Sequence, residues 1–334
     1  MYRQKLLTTK ISSIMKRIFT LLAVVVCATA LFSCSEEKPV IKEIPVAVQL
    51  YSVRGEMESD FYGTLKAVKQ MGYDGVEFAG LYGNTPEQVK AWCDELGLTP
   101  ISAHVPLGDM LADMDKVIAD YKTIGCEYIA IPWVDASRHP DGPDFWTTLQ
   151  DIKDIAKKAN EAGIVLLYHN HDFEFKLFHN NGRKHPEPGL DFMYSFLTPE
   201  ELQAELDLCW VKYAGNDPVS YIEKYAGRVP VLHFKDYYVE GEQAEKPYEL
   251  IGDEAAEAEA TTEVAEETTE AAAPVFEFRP LGSGVQDVAA LLAAAEKAEC
   301  QWIVIEQDQP SMGLTPMESI KQSVEYLKKI QKEN

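Results

Sequence analysis

The chain contains 334 residues, of which 46% are hydrophobic and 25% are charged. These proportions are ordinary for a globular protein, and the length allows one large domain or two smaller ones. The formal net charge at pH 7 is −23. A field of this sign repels phosphate backbones, so nucleic acid is not a predicted partner.

The N-terminal residues have the pattern of an export signal. Two basic residues precede an apolar run over 18–32, which is too short for a comfortable membrane span. The run ends in Leu-Phe-Ser-Cys and resembles a bacterial lipobox that closes at Cys34. We predict a signal peptide over 1–34, lipidation at Cys34 and a linker over 35–44. An uncleaved N-terminal anchor is the alternative.

The predicted location follows from this signal. Acidic residues at positions 36 and 37, just after the cysteine, resemble the surface-export signal of Bacteroidetes lipoproteins. We therefore expect an exported lipoprotein, held to a membrane by its N-terminal lipid and either facing the periplasm or lying on the outer-membrane surface.

From Pro45 onward, apolar strand patterns alternate with helical ones. A fifth predicted strand begins at Ile164, and the other seven lie at 46–50, 75–78, 100–104, 127–133, 202–208, 229–234 and 301–306. The main helical patterns cover 61–71, 86–96, 109–124, 146–162 and 316–331. Eight strands interleaved with helices predict an α/β fold, a single-domain (β/α)₈ TIM barrel over 45–331. A doubly wound open sheet is the alternative, although 52–55 lacks its glycine-rich turn.

One segment does not follow the alternating pattern. The stretch Asp253–Glu270 holds eight acidic residues and no basic one, with almost no large apolar side chains. Such a composition cannot bury enough surface to fold alone. We predict a disordered acidic insertion over 242–275, after the seventh strand, and a lid or a cation-binding tail is the alternative.

Polar residues gather where the predicted strands end, which is where a barrel of this kind carries its chemistry. Residues two apart on a strand share a face, so His169 and His171 point the same way, as do Glu205 and Asp207. Buried polar groups are costly unless they are paired or bound to metal. A carboxylate–imidazole set suits one divalent ion, Mn²⁺, Co²⁺, Zn²⁺ or Fe²⁺, rather than Ca²⁺.

The short motifs at these strand ends resemble, in order, those of the xylose isomerase-like sugar phosphate isomerase/epimerase barrels. The motifs include Val48–Ser52, Gly75–Phe78, Ser102–His104 and Leu232–Asp236. The resemblance covers about 45–331, and it is specific to the superfamily rather than to a substrate. It implies a small-molecule carbohydrate partner, and it leaves the oligomeric state open because homo-oligomers are common in the family.

The resemblance also implies the metal ligands. Family members typically use a glutamate, an aspartate, a histidine and a glutamate on strands five to eight. Asp207, His233 and Glu306 match the last three ligands. Strand five departs from the pattern, because His169 stands where many members carry glutamate, with His171 and Glu174 as alternatives for that place.

The resemblance implies chemistry that begins with proton abstraction next to a carbonyl. We expect Glu306 to act as base or acid and His104, Lys235 and Glu174 to assist it. The remaining candidates would bind the sugar, and they are Glu77, His171, Trp133 and Trp210. Because only Glu306 is a clear carboxylate partner, the sequence departs from the pattern in which two glutamates exchange protons symmetrically.

We predict a metal-dependent isomerase or epimerase acting on a free sugar or sugar derivative, because phosphorylated sugars are scarce outside the cytoplasm. A lyase that acts on 3-keto-glycosides is the alternative within the enzyme class. A sugar-binding lipoprotein without catalysis is a second alternative. An endonuclease-IV-like enzyme would need a basic groove, which this acidic chain does not offer.

Overall fold

The computed structural model describes residues 43–179, 185–240 and 275–333. The predicted signal peptide, the lipidation site at Cys34 and most of the predicted linker lie outside these residues. The predicted acidic insertion also lies outside them, except for Val275. In the described part of the chain, no helix has both the length and the apolar character needed to cross a membrane.

Eight parallel strands form the central sheet, and with labels that count every strand in chain order they are β1 (Val46–Gln49), β2 (Gly75–Phe78), β3 (Thr99–Ala103), β4 (Tyr128–Ile131), β5 (Val165–His169), β8 (Gln203–Asp207), β9 (Val231–Phe234) and β12 (Trp302–Ile305). Their order is β3-β2-β1-β12-β9-β8-β5-β4. A bridge between His104 and Ala130 joins the two outer strands, and the N–H of Val105 donates to the Ala130 carbonyl at 3.0 Å. The sheet is therefore a nearly closed barrel, which confirms the predicted (β/α)₈ fold over the open-sheet alternative.

Helices connect the strands, and their bounds are Arg54–Ser59, Phe61–Met71, Pro86–Leu96, Leu107–Ala112, Met114–Ile124, Phe145–Glu161, Gly189–Phe196, Leu208–Tyr213, Pro218–Lys224, Val288–Lys297 and Pro316–Glu333. The single helix predicted over 109–124 was wrong, because two helices meet there at Asp113. The Asp113 carboxylate accepts the N–H of Lys116 at 3.1 Å and so caps the second helix. The predicted strand over 202–208 ends at Asp207, since Leu208 already begins a helix.

Two small hairpins were not predicted from the sequence. The pairs are β6 (Leu177–Phe178) with β7 (Glu187–Pro188), and β10 (Asp236–Glu240) with β11 (Val275–Arg279), both antiparallel. Aromatic side chains of the second hairpin pack in one cluster with Trp210 and Tyr213. This cluster lies beside the carboxyl ends of β8 and β9, so the hairpin forms a wall at that end of the barrel.

The interior of the barrel is apolar at its centre and polar at its carboxyl end. Ala47, Tyr128, Leu167, Val231 and Val304 belong to one buried cluster inside the sheet. A separate apolar layer lies between the strands and the helices. The polar side chains that could take part in catalysis therefore lie at the carboxyl end of the barrel, next to its packed apolar centre.

The close packing at Gly75 gives a stability prediction. A Cβ at this position would lie 2.7 Å from the Thr99 carbonyl oxygen and 2.9 Å from the Ile101 side chain. We expect Gly75→Ala to lower the free energy of unfolding by about 1–3 kcal/mol, as measured by urea denaturation. The control is Gly108→Ala, which has open space around the new Cβ in the helix Leu107–Ala112 and should be neutral or stabilising. Equal losses in both variants would contradict this account.

Candidate metal and sugar site

Four side chains predicted as metal ligands meet at the carboxyl end of the barrel. His169 ends β5, Asp207 ends β8, His233 lies on β9, and Glu306 follows β12. All four are buried, and one ligand atom from each lies within 4.8 Å of the others. Donors bound to one ion at about 2.0–2.2 Å lie at comparable separations. The parallel register places these neighbouring strands so that their last residues converge.

A second group shares two of these imidazoles. His104, His169, Glu205 and His233 also bring one ligand atom each within 4.8 Å. Glu205 is fully buried, and its Oε1 lies 2.6 Å from His104 Nε2, 3.1 Å from His169 Nδ1 and 3.1 Å from His233 Nε2. Its Oε2 is buried without a hydrogen-bond partner in the described residues.

The sequence analysis gave Glu205 no role. Its alternation with Asp207 on one strand face was the available signal. The register between the two strands, which the sequence did not reveal, places Glu205 directly opposite His169 in the pairing of β8 with β5.

Lys235 is a buried cation among three carboxylates. Its Nζ lies 2.8 Å from Asp308 Oδ2, 2.9 Å from Glu306 Oε2 and 3.3 Å from Asp207 Oδ2. Burial would lower the pKa of Lys235, but Asp308, Glu306 and Asp207 raise it well above its usual value. Lys235 is therefore protonated at neutral pH and acts as a fixed positive charge.

Asp308 was also missed by the sequence analysis. It lies two residues beyond Glu306 and is buried beside Lys235. Burial raises the pKa of Asp308 to about 6, although Lys235 acts in the opposite direction. A carboxyl group with this pKa can exchange a proton near neutrality.

Glu77 and His104 form a layer beneath the predicted ligands. Gln49 donates to Glu77 Oε1 at 2.8 Å, and the Ser102 hydroxyl donates to Glu77 Oε2. His104 Nε2 lies 3.1 Å from Glu77 Oε1, and His233 Nε2 lies 2.8 Å from the same oxygen. The predicted sugar-binding residue Glu77 is thus fully buried and already hydrogen-bonded to protein groups.

Electrostatics differ among the three core histidines. Burial lowers the pKa of His169 well below its usual value, and the His233 and His104 rings lower it further. Burial acts in the same direction on His104 and His233, but Glu77 and Glu205 outweigh it. The pKa of His104 is raised to about 10, and that of His233 is raised well above its usual value. His169 is therefore a neutral imidazole with a lone pair to offer.

Glu174 lies beside this cluster rather than in it. The Tyr168 hydroxyl donates to its Oε1 at 2.7 Å, and the backbone N–H of His171 donates to its Oε2 at 2.9 Å. The structure therefore brings the predicted catalytic residue Glu174 into contact with the β5 end, where it supports the backbone that follows His169. Its predicted catalytic role stays a prediction.

Three predicted sugar-binding side chains form an aromatic wall. His171 packs edge-to-face against Trp133, with ring centroids 4.7 Å apart. It packs in a tilted arrangement against Trp210, with ring centroids 5.3 Å apart. Lys235 Nζ lies 5.7 Å from the centre of the Trp210 ring, which joins this wall to the buried cation. Aromatic faces of this kind suit the C–H faces of a sugar.

Asp236 organises the glycine-rich turn next to the site. Its two carboxylate oxygens accept the backbone N–H groups of Tyr237, Gly282, Gly284 and Gln286 at 2.9–3.1 Å. This single carboxylate closes the turn between β11 and the helix Val288–Lys297. The turn is therefore held rigidly beside the carboxyl end of β9.

The chain belongs to the xylose isomerase-like TIM barrel family, whose model matches residues 65–330. The class of protein that the fold and the family define is therefore a xylose isomerase-like (β/α)₈ barrel. A curated relative, inosose dehydratase of Geobacillus kaustophilus, is 23% identical in an alignment of 196 positions that covers 52% of this chain. The chain spans only 60% of that relative's length.

Solved structures with the same fold extend over most of the chain. A sugar phosphate isomerase/epimerase from Parabacteroides distasonis superposes with a TM-score of 0.65 at 18% identity, covering 88% of this chain and 96% of that one. An IOLI protein with a bound zinc atom superposes with a TM-score of 0.63 at 11% identity, covering 87% and 99%. At these identities the likeness shows the fold.

The environment of Glu174 predicts a pH effect on stability. Burial raises the pKa of Glu174 to about 8, although its hydrogen bonds to Tyr168 and His171 act in the opposite direction. A carboxyl whose folded pKa exceeds its unfolded value of about 4.3 stabilises the fold fully below that value, and this contribution is lost as pH rises towards 8. We expect wild-type unfolding free energy to fall between pH 5 and pH 9. In Glu174→Gln this component should vanish, as urea titrations at each pH would show.

The outcome that would contradict this assignment is an equal slope of stability against pH in both proteins over that window. A second comparison, of the two free energies of unfolding at pH 6, tests whether the substitution itself destabilises the fold. There the neutral amide replaces a neutral acid of similar shape, so the two proteins should differ little.

Proposed function

We propose that this protein is a metal-dependent isomerase or epimerase that removes a proton next to the carbonyl of a free sugar or sugar derivative. The observation that carries the proposal is the convergence of His169, Asp207, His233 and Glu306 at the carboxyl end of the barrel. The free-sugar substrate rests on the predicted export of the chain.

The residues fit a divalent ion by their chemistry. Two imidazoles and two carboxylates are the donor set that Mn²⁺, Co²⁺, Zn²⁺ and Fe²⁺ accept. Glu205 Oε2 is buried and has no hydrogen-bond partner in the described residues. It is therefore a further acceptor oxygen next to the four proposed metal ligands. When bound, the ion would polarise a substrate carbonyl and so acidify the neighbouring C–H bond. His169, Asp207, His233 and Glu306 would hold it.

The chain's own residues would handle charge and protons. Lys235 is a fixed cation 2.9 Å from Glu306 Oε2, placed to stabilise negative charge that develops on a substrate oxygen. Glu306 is the proposed proton acceptor. Asp308, with its pKa raised to about 6, is placed beside Lys235 to return a proton. Trp133 would orient the sugar, and the fully buried Trp210 would back this wall and exclude water.

A second candidate function is β-elimination on a 3-keto-glycoside. The observation that favours it is the imidazole of His169 at the end of β5, opposite Glu306, because a neutral ring replaces the second carboxylate that a symmetric proton exchange needs. Elimination requires one base and an acid for the leaving group. The curated relative is named a dehydratase, which is also an elimination.

Metal content tests the donor set. We expect wild-type protein to bind one divalent ion per chain, and His169→Ala and His233→Ala to bind almost none, because each loses one of four donors. His171→Ala is the control, since its ring packs against Trp133 and Trp210 and is not in the donor group. Elemental analysis after incubation with each metal gives the readout. A wild-type protein that takes up no metal would sink the proposal.

Solvent deuterium uptake tests the chemistry. We expect metal-loaded protein to exchange the C–H next to the carbonyl of a keto-sugar, and Glu306→Gln to slow this by at least about 100-fold. The control is Glu325→Gln, an exposed glutamate on the last helix. Recovery of a labelled isomer or epimer supports the first function, and release of the glycosidic group supports the second. Bound metal without any exchange would indicate a sugar-binding protein instead.

A further inference from the structure

The ring of His169 is held between two carboxylates of one neighbouring strand. Glu205 pairs with His169 in the β5–β8 register, and Asp207 follows two residues later on the same face. His169 Nδ1 lies 3.1 Å from Glu205 Oε1, whereas His169 Nε2 lies 3.7 Å from Asp207 Oδ2. The first distance is a hydrogen bond and the second is not.

This arrangement decides which nitrogen carries the proton. A carboxylate only accepts hydrogen bonds, so the nitrogen that faces Glu205 must be the N–H. A neutral imidazole has one N–H, and its other nitrogen then presents a lone pair. His169 is only 2% exposed, so bulk water does not compete for either nitrogen. The lone pair of Nε2 is thereby directed at the side on which Asp207 and Glu306 lie.

His233 differs from His169, because both of its nitrogens face carboxylates. Its Nε2 lies 2.8 Å from Glu77 Oε1, closer than the 3.1 Å that separates it from Glu205 Oε1. Its Nδ1 lies 3.0 Å from Glu306 Oε2. Both nitrogens of His233 are therefore within hydrogen-bond distance of a carboxylate, so a single N–H can be assigned to His169 and not to His233.

We propose that Glu205 is the positioning residue for His169, holding its Nδ1–H so that Nε2 faces the divalent ion. This inference rests on the proposed function for the ion itself. It assigns the group of His104 and Glu205 to support rather than to a second cation. A second cation would need lone pairs on both nitrogens of His169 at once.

The test uses purified full chain labelled with ¹⁵N at histidine and titrated with Zn²⁺. We expect one zinc per chain, with His169 bound through Nε2 and retaining Nδ1–H in long-range ¹H–¹⁵N spectra. The variant Glu205→Gln should bind zinc about 10–100-fold more weakly. An amide can donate as well as accept, so His169 should lose its single tautomer.

Glu325→Gln is the control, since it removes the charge of an exposed glutamate on the last helix. It should leave zinc affinity and the His169 signals unchanged. Two zinc ions per chain, zinc on His169 Nδ1, or an unchanged Glu205→Gln variant would each overturn the inference.

The measurement also separates this inference from the proposed function. If wild-type protein binds no zinc, the proposed function fails, and the metal-free spectrum decides the inference. There His169 should be the Nδ1–H tautomer in wild type, and an Nε2–H tautomer would overturn the assignment. This reading needs no variant, so a misfolded Glu205→Gln protein would not prevent it.

Discussion

Among the described residues, five buried carboxylates face Lys235 or the core histidines at one end of the barrel, and each must be neutralised or hydrogen-bonded to remain there. They are Glu77, Glu205, Asp207, Glu306 and Asp308. Lys235 is the counter-charge for three of them, and imidazoles face the other two. The strands fix these positions because parallel register brings residues from distant parts of the chain to one level. Removal of Lys235 would leave the buried Asp207 and Asp308 carboxylates without the cation beside them, which is costlier than never burying them.

The buried polar side chains at the carboxyl end of the barrel form two levels with different roles. The side chains of the lower level, Glu77, His104 and Glu205, are hydrogen-bonded to other protein groups. The predicted metal ligands of the upper level face the open end of the barrel. Lys235 and Asp308 adjoin the upper level, where charge would develop during proton abstraction. An arrangement of this kind positions donors through rigid strands rather than through loops, so their separations vary little.

Strand periodicity was enough to predict the barrel, and the polar strand ends together with the family resemblance were enough to predict the set His169, Asp207, His233 and Glu306. These features are local, because the apolar run of each strand and the polar residues at its end can be identified from that stretch of sequence alone. The contacts of Glu205 were not predictable, because they depend on the register between β5 and β8. Asp308 was missed because it follows its strand rather than ending it. Its proximity to Lys235 depends on the three-dimensional fold. The hairpin of β10 and β11 was missed because its two strands are separated by the long acidic stretch.

That hairpin has a topological consequence. Glu240 and Val275 are paired partners at its outer end, and Asp236 clamps the turn that follows β11 to the start of β10. The two described residues that flank 241–274 therefore lie side by side. Loop-closure entropy grows by only about 0.6 kcal/mol for each doubling of loop length, so the cost of joining these two ends depends only weakly on the number of residues between them. A longer, shorter or different sequence could therefore connect them without moving a predicted metal ligand.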